Sequence, residues 1–195
     1  MSIDTVNALT SLVAAKSWLS VAAAPDTTYD SEIESLIDSV SWQFNSYCKR
    51  RLLARDLTEY YEGDGSNKFM SPEFPINSIT SINIDSERDY DTDTLIDSDT
   101  YTFNTKGLIT LDESTFSTSP QAVKIVYNVG YATIPPDLSI ACLDQIKFLF
   151  RRHLNNQEGI TTEATINGSV SVSEVGEILE TSLKILLRYR RRDHV

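Results

Sequence analysis

The residues that most often carry chemistry are scarce in this chain. It holds two histidines, His153 and His194, and two cysteines, Cys48 and Cys142. A nucleophile–histidine–acid triad would have to use His153, which sits in an arginine-rich helix end with no Gly-x-Ser-x-Gly elbow to accompany it. There is no phosphate-binding loop, no glycine-rich dinucleotide turn and no Cys/His metal spacing. Carboxylates are plentiful, but they fall in polar loops where nothing in the sequence would shift their pKa values. These gaps argue against an enzyme and against any cofactor or bound metal. Both cysteines lie inside apolar helical patterns, as buried small hydrophobes in a reducing compartment do; a disulfide between them requires that their two helices touch. No run approaches the roughly 18 apolar residues of a membrane span. The N-terminus MSIDTVNALT lacks the basic start and apolar core of a secretory signal, so a soluble chain synthesised in a cytoplasm is expected. Positive charge is also short, 17 Lys and Arg against 28 Asp and Glu, a formal net charge of -11. Such a chain is repelled by phosphate and anionic lipid, which disfavours tight nucleic-acid or membrane binding.

What is present reads as helices, then strands, then helices. Val6, Leu9, Leu12, Val13 and Leu19 give a first helical pattern over residues 5–21, ended by Pro25. Asp30 suits an N-cap, and Ile33, Leu36, Ile37, Val40, Phe44, Tyr47 and Cys48 stripe a second helix over 30–52. From about Asp56 the period changes to short β-branched and aromatic runs: Leu57–Tyr61, Lys68–Met70, Ser78–Ile84, Tyr101–Phe103, Gly107–Leu111 and Ala122–Val129. Gly63-Asp64-Gly65, Ser71-Pro72, Asn104–Gly107 and Ser119-Pro120 separate them with turn chemistry. Pro135-Pro136 opens a third helix over 136–153, and a leucine-rich fourth covers 177–191. The expected fold class is α+β: a four-helix core, two helices N-terminal and two C-terminal, with an inserted small antiparallel β-module. One domain spans 1–195, its helical core in 1–54 and 134–195 and its β-module in 55–133.

Three segments stand out for binding. Asp89, Asp91 and Asp93 alternate like the first ligands of a calcium loop. Yet Thr94 stands where the turn glycine belongs, and Thr100 where the bidentate glutamate belongs, so a solvated acidic hairpin tip is expected and a calcium-dependent module using residues 85–99 is the alternative. The last helix closes on Arg188, Tyr189, Arg190, Arg191 and Arg192. Dipole complementarity explains one or two arginines there; the run exceeds that need and reads as a protein-docking end rather than a DNA patch. Residues 155–175 contain two glycines, many hydroxyls and no sustained apolar run. They read as a mobile loop or flexible hairpin, in which Gly159, Thr161, Thr162, Gly168 and Ser169 are the candidate contact residues.

The order of these pieces resembles the head-completion, or head-to-tail connector, proteins of long-tailed double-stranded-DNA phages and gene-transfer particles. The resemblance rests on Ala14-Ala-Lys16-Ser-Trp-Leu19, Tyr29–Ile37 with Asn45–Arg51, Phe74–Ile82, Lys106–Leu111, Gln121–Tyr131 with Ile134–Leu138, and Leu186–Arg191. The acidic stretch 85–99 departs from it, because relatives often have a short turn there. The resemblance implies a virion protein of the neck, between capsid and tail, made in a bacterial host. Its partners would be other copies of itself, in a ring of about a dozen beneath the portal, together with the portal protein and a stopper or tail-completion protein. Genomic DNA would pass through the channel without specific binding. The arginine end would dock the portal, and loop 155–175 would face the lumen or a neighbouring subunit.

Overall fold

A computed structural model of the chain describes residues 3–20, 27–154, 162–165, 168–171 and 178–191, the two four-residue segments as backbone only. The structure is mixed α and β, and its chain divides into two compact units: residues 1–49 with 134–190, and residues 50–133 with 191–195.

The first unit is helical. Helix α1, Leu12–Leu19, starts where the Ser11 hydroxyl accepts the Ala14 N–H at 3.2 Å, and stops at Ser20 in the left-handed region. This cap shortens the expected 5–21 helix. Residues 4–9 instead turn, with Asp4 donating its N–H to the Asp38 carboxylate and Leu9 donating to the Ser41 hydroxyl, each at 3.0 Å. Helix α2, Asp30–Tyr47, ends before the expected residue 52 because Lys49 takes a left-handed φ of 55°. Its stripe Ile33, Ile37, Val40 and Phe44, with Cys48 just beyond, is fully buried, as are Leu138, Cys142 and Ile146 of α3, Pro136–Leu154. Each such aliphatic side chain removed from water contributes about 1.5–3 kcal/mol. Both cysteines are buried and neither is in a disulfide, and burial pushes the Cys142 thiol up to about 12. Strands β7 (Thr162–Thr165) and β8 (Gly168–Ser171) pair antiparallel, which makes part of the expected loop a hairpin. Helix α4 covers only Glu180–Leu186, where 177–191 was expected. Past it the hydrogen bonds tighten, Arg188 N–H to Ile185 and Tyr189 N–H to Leu186, so the arginines leave the helix in a turn. The Ser182 hydroxyl donates to the Ala141 carbonyl and Leu179 N–H to the Gln145 side chain, fixing α4 along α3.

The second unit is built of β-strands: β1 (Arg55–Tyr61), β2 (Lys68–Met70), β3 (Ile76–Ile84), β4 (Tyr101–Phe103), β5 (Leu108–Leu111) and β6 (Val123–Val129). All six lie within a residue or two of the expected runs. Within this one unit they form two antiparallel three-stranded sheets, ordered β1-β6-β3 and β2-β5-β4. Strand β6 alternates strictly, sending Val123, Ile125, Tyr127 and Val129 inward to meet Ile82, Ile109, Leu111 and Phe116. Strand β3 opposes it with two register shifts, which bend the edge strand over that core.

Gly130 ends β6 with φ +106°, and a Cβ there would sit 2.6 Å from the Leu53 carbonyl oxygen. The approach lets Tyr131 N–H reach Leu52 and Ala54 N–H reach Tyr131. Gly130→Ala therefore carries both a conformational and a steric penalty, and is expected to lose about 2–3 kcal/mol of stability, measured as a lowered urea midpoint at unchanged slope.

Candidate functional site

The residues at the C-terminal arginine run meet different fates. Arg188 projects to solvent, its side chain 73% exposed, with Asp137 at 3.9 Å as an ion-pair neighbour. Tyr189 turns back and donates its hydroxyl to the Asp137 carboxylate at 2.5 Å. The Arg190 Nε is buried without a hydrogen-bond partner. Arg191 lies among acidic residues of the β-unit, its Nη2 3.4 Å from Glu59 and its Nη1 3.5 Å from Glu73. Arg192 lies outside the described residues. So do Gly159 and Thr161, whereas Thr162, Gly168 and Ser169 belong to the β7–β8 hairpin.

Glu59 and Glu73 are residues that sequence reasoning passed over, and they anchor the most unusual polar cluster of the β-unit. Glu59 Oε2 accepts two phenol hydroxyls, from Tyr61 and, at 2.5 Å, from Tyr127. The two phenols are 3.1 Å apart, and Tyr127 reaches on to the Ser71 hydroxyl at 3.2 Å. Burial, reinforced by the carboxylate they serve, raises both phenol pKa values far above the ordinary one. Glu73 is almost fully enclosed, its side chain 2% exposed. Its Oε2 has no hydrogen bond and faces Arg55 at 3.8 Å. Desolvation raises the Glu73 pKa, outweighing the pull of Arg55, Arg50 and Arg191. Arg50 lies over the Phe74 ring at 4.1 Å and donates to the Phe74 carbonyl. This arrangement holds phenols as donors and arginines as counter-ions; what it recognises is a guanidinium. One signal was available: in β1 the alternation places Glu59 on the half-buried side with Leu57 and Tyr61, an odd register for a lone charge.

Two carboxylates of the acidic stretch 85–99, Asp85 and Asp97, bind its own backbone. Asp85 accepts the N–H groups of Glu87, Asp89 and Tyr90 at 2.7–2.9 Å, and these bonds hold its pKa below the usual range. Asp97 caps a 3-10 turn at residues 98–100 in the same way. Tyr90 packs against Tyr60 and under the Lys124 ammonium, tying the loop to the sheet. Among the described residues no three acidic, histidine or cysteine side chains converge as a metal site, so the geometry lends the calcium alternative no support. No helix among them is long and apolar enough to cross a membrane.

Comparison with protein families matches residues 8–192 to the model described as Head completion protein. The chain belongs to the head completion protein family. Among solved structures, a chain in the virion of a native gene transfer agent particle superimposes with a TM-score of 0.61 at 12% identity, covering 100% of this chain and 95% of that one. A chain from the neck of an empty gene transfer agent particle, computed with C6 symmetry, gives 0.61 at 14%, covering 100% and 96%. A chain from the neck of the native particle, computed with C12 symmetry, gives 0.51 at 13%, covering 90% and 95%. At these identities the likeness is one of fold. Comparison with curated proteins gives no match. Family membership accords with the order of motifs from Ala14 to Arg191, and the acidic stretch 85–99 fits within the matched span.

The cluster gives this head completion protein a pH signature with a definite sign. A carboxyl whose folded pKa is raised lends its stability below the unfolded value and loses it as pH rises through the folded value. Glu73 therefore costs stability at neutral pH. Glu73→Gln is expected to melt at the same or a higher temperature than the parent at pH 7, the gap closing as pH falls toward the ordinary value of 4.5. Of the arginines left behind, Arg55 and Arg191 are more exposed than Glu73 and Arg191 keeps Glu59 at 3.4 Å, while the buried Arg50 keeps the Phe74 ring and carbonyl. Calorimetry across that range checks it; a Gln variant that melts lower throughout contradicts it.

Proposed function

We propose that the chain is a structural subunit of a particle neck. It acts as a head-to-tail connector that assembles as a ring beneath the portal, extends the DNA channel and offers a platform to stopper or tail proteins. The observation that carries this reading is the family match across residues 8–192, supported by the whole-chain likeness to chains from gene transfer agent virions and necks. The C6 and C12 symmetry of two of those necks supports a cyclic assembly as the form in which the fold works. In such a ring the two units act together as one domain, its four helices forming the core and its sheets the insertion. The net charge of -11 suits a conduit: a wall that does not attract phosphate lets DNA slide. Genomic DNA is cargo in this reading and is not bound specifically.

Portal docking falls to the C-terminal arginine run. Arginine presents a planar fork that pairs with carboxylates in two hydrogen bonds, and Arg188 has its fork in solvent. Arg191 has intramolecular partners, so replacing every arginine at once would mix docking with loss of those ion pairs. Arg188→Ala is the cleaner probe. Purified protein added to connector-deficient heads is expected to co-sediment with them and retain their DNA. The alanine variant should fold normally and attach at least several-fold more weakly, because a ring repeats the lost contact. Parent protein that stays monomeric and free of heads would sink the connector reading; wild-type attachment by the variant would remove Arg188 from the docking surface.

The β7–β8 hairpin is assigned the inter-subunit or lumenal role. It holds only four residues in each strand, and a two-stranded hairpin standing alone is marginal in water. Its amides are expected to gain hydrogen-exchange protection on assembly; equal protection in subunit and ring counts against the assignment.

A further inference from the structure

The Glu59–Glu73 cluster has a property that a simple structural staple lacks. Arg191 sits on it badly. Its contacts of 3.4 and 3.5 Å exceed the roughly 2.7–2.9 Å of a well-formed charge-assisted pair. It touches one oxygen of each carboxylate instead of forming a fork on either. Glu59 cannot offer both of its oxygens, because Oε2 is already taken by the Tyr61 and Tyr127 hydroxyls. Glu73 is fixed in the interior, and its second oxygen makes no hydrogen bond.

The burial of the two partners is just as uneven. The Glu73 side chain is 2% exposed and that of Arg191 is 34% exposed. The carboxylate therefore cannot leave, while the arginine can. If Arg191 withdraws, Glu73 is not abandoned, since Arg55 stands 3.8 Å from its Oε2 and Arg50 also acts on it. A receptor that can stand open and a badly seated occupant that is one-third exposed make a contact suited to exchange. A partner carboxylate free to offer both oxygens would hold the same guanidinium in a better geometry.

We propose that Arg191 is a releasable clasp, fastening the C-terminal end to Glu59 and Glu73 in the free subunit and withdrawn when that end engages acidic side chains of the protein it docks. This rests on the docking role given to the arginine run, and it adds an order of events: docking competes with an internal contact. A subunit whose competent form is only partly populated binds with its apparent affinity reduced by that fraction, so loosening the clasp should strengthen attachment.

The test uses the full-length chain as parent, Glu73→Gln and Arg191→Lys. The lysine variant keeps the charge but loses the fork that bridges the two carboxylates, and serves if the glutamine variant fails to fold. Two readouts are taken. In the first, brief trypsin treatment followed by mass spectrometry measures, in all three proteins, the rates of cleavage after Arg190 and after residue 191, trypsin accepting arginine and lysine alike. In the second, co-sedimentation with connector-deficient heads gives the concentration for half attachment. The clasp predicts that Glu73→Gln is cleaved several-fold faster than the parent with no fall in melting temperature, and reaches half attachment at a correspondingly lower concentration. Arg191→Lys should share the faster cleavage after Arg190. Cleavage at the parent rate in both variants overturns the clasp. Faster cleavage with half attachment unchanged overturns its coupling to docking. Heads that bind none of the three proteins overturn the docking reading itself, and the cleavage rates then still decide whether Arg191 is held by Glu73.

Discussion

Strand β6 is the constraint on which the β-unit depends. Among the described residues it is the central strand of its sheet, paired with β1 along its whole length and with β3 across two register shifts. Its inward residues Val123, Ile125, Tyr127 and Val129 fix which face of both neighbours is covered, because a one-residue slip would turn every one of them outward. Tyr127 makes that register chemical as well as apolar. Its ring belongs to the core, while its hydroxyl, held by Glu59 and Ser71, carries the order of the core into the polar cluster. A buried phenol without a partner would cost about 1–3 kcal/mol, so the donors and the carboxylate are selected together. Glu59 is thereby oriented by two hydroxyls before any arginine approaches. The side on which it can accept a guanidinium is settled by the strand pairing, with Gly130 closing the same strand at its far end.

The distribution of charge follows a related logic. A surplus of carboxylates threatens a small fold with self-repulsion, and the chain contains it by local satisfaction. Asp85 binds three backbone amides, Asp97 caps a turn, Lys16 meets Asp30 at 2.6 Å, and Asp56 accepts from Asn128 on the outer face of the sheet. Carboxylates used in this way keep their charge and order the loops that carry them. They are poor metal ligands for the same reason: lone pairs already committed to N–H groups do not converge on a cation.

Much of the architecture could be read from the residues. The six β-runs, the proline-started helix at Pro136 and the stripe of α2 rest on periodicity, which local sequence carries directly. The helix ends were misjudged where a single residue overrode the pattern. Ser11 caps late, Lys49 turns left-handed early, and the chain after Leu187 tightens into a turn although Arg188–Arg191 would suit a helix. The division into two sheets was not legible, because strand order is a matter of long-range pairing. Of the candidate site, the arginine run was visible as a surfeit of one residue type, but its division into exposed and engaged members was not. Arg188 and Arg191 are equivalent by composition; only the turn that follows α4 decides that one faces water and the other faces Glu59 and Glu73. Glu73 itself gives almost no sign in Pro72-Glu-Phe-Pro75, since a lone acid between prolines reads as a solvated turn.

That failure has a physical lesson for acidic proteins. With 28 carboxylates, the informative one is the carboxylate that the fold could most easily have left in water and did not. Enclosing Glu73 costs solvation that Arg55, Arg50 and Arg191 recover incompletely, as its raised pKa records. Replacing a whole buried ion cluster by apolar residues is often neutral or stabilising, whereas removing Glu73 alone leaves its arginines one counter-charge short. A contribution to stability alone therefore does not account for the cluster being ionic. What the charge supplies is selectivity for a guanidinium over any neutral side chain, at a place where the chain's own C-terminal run delivers one.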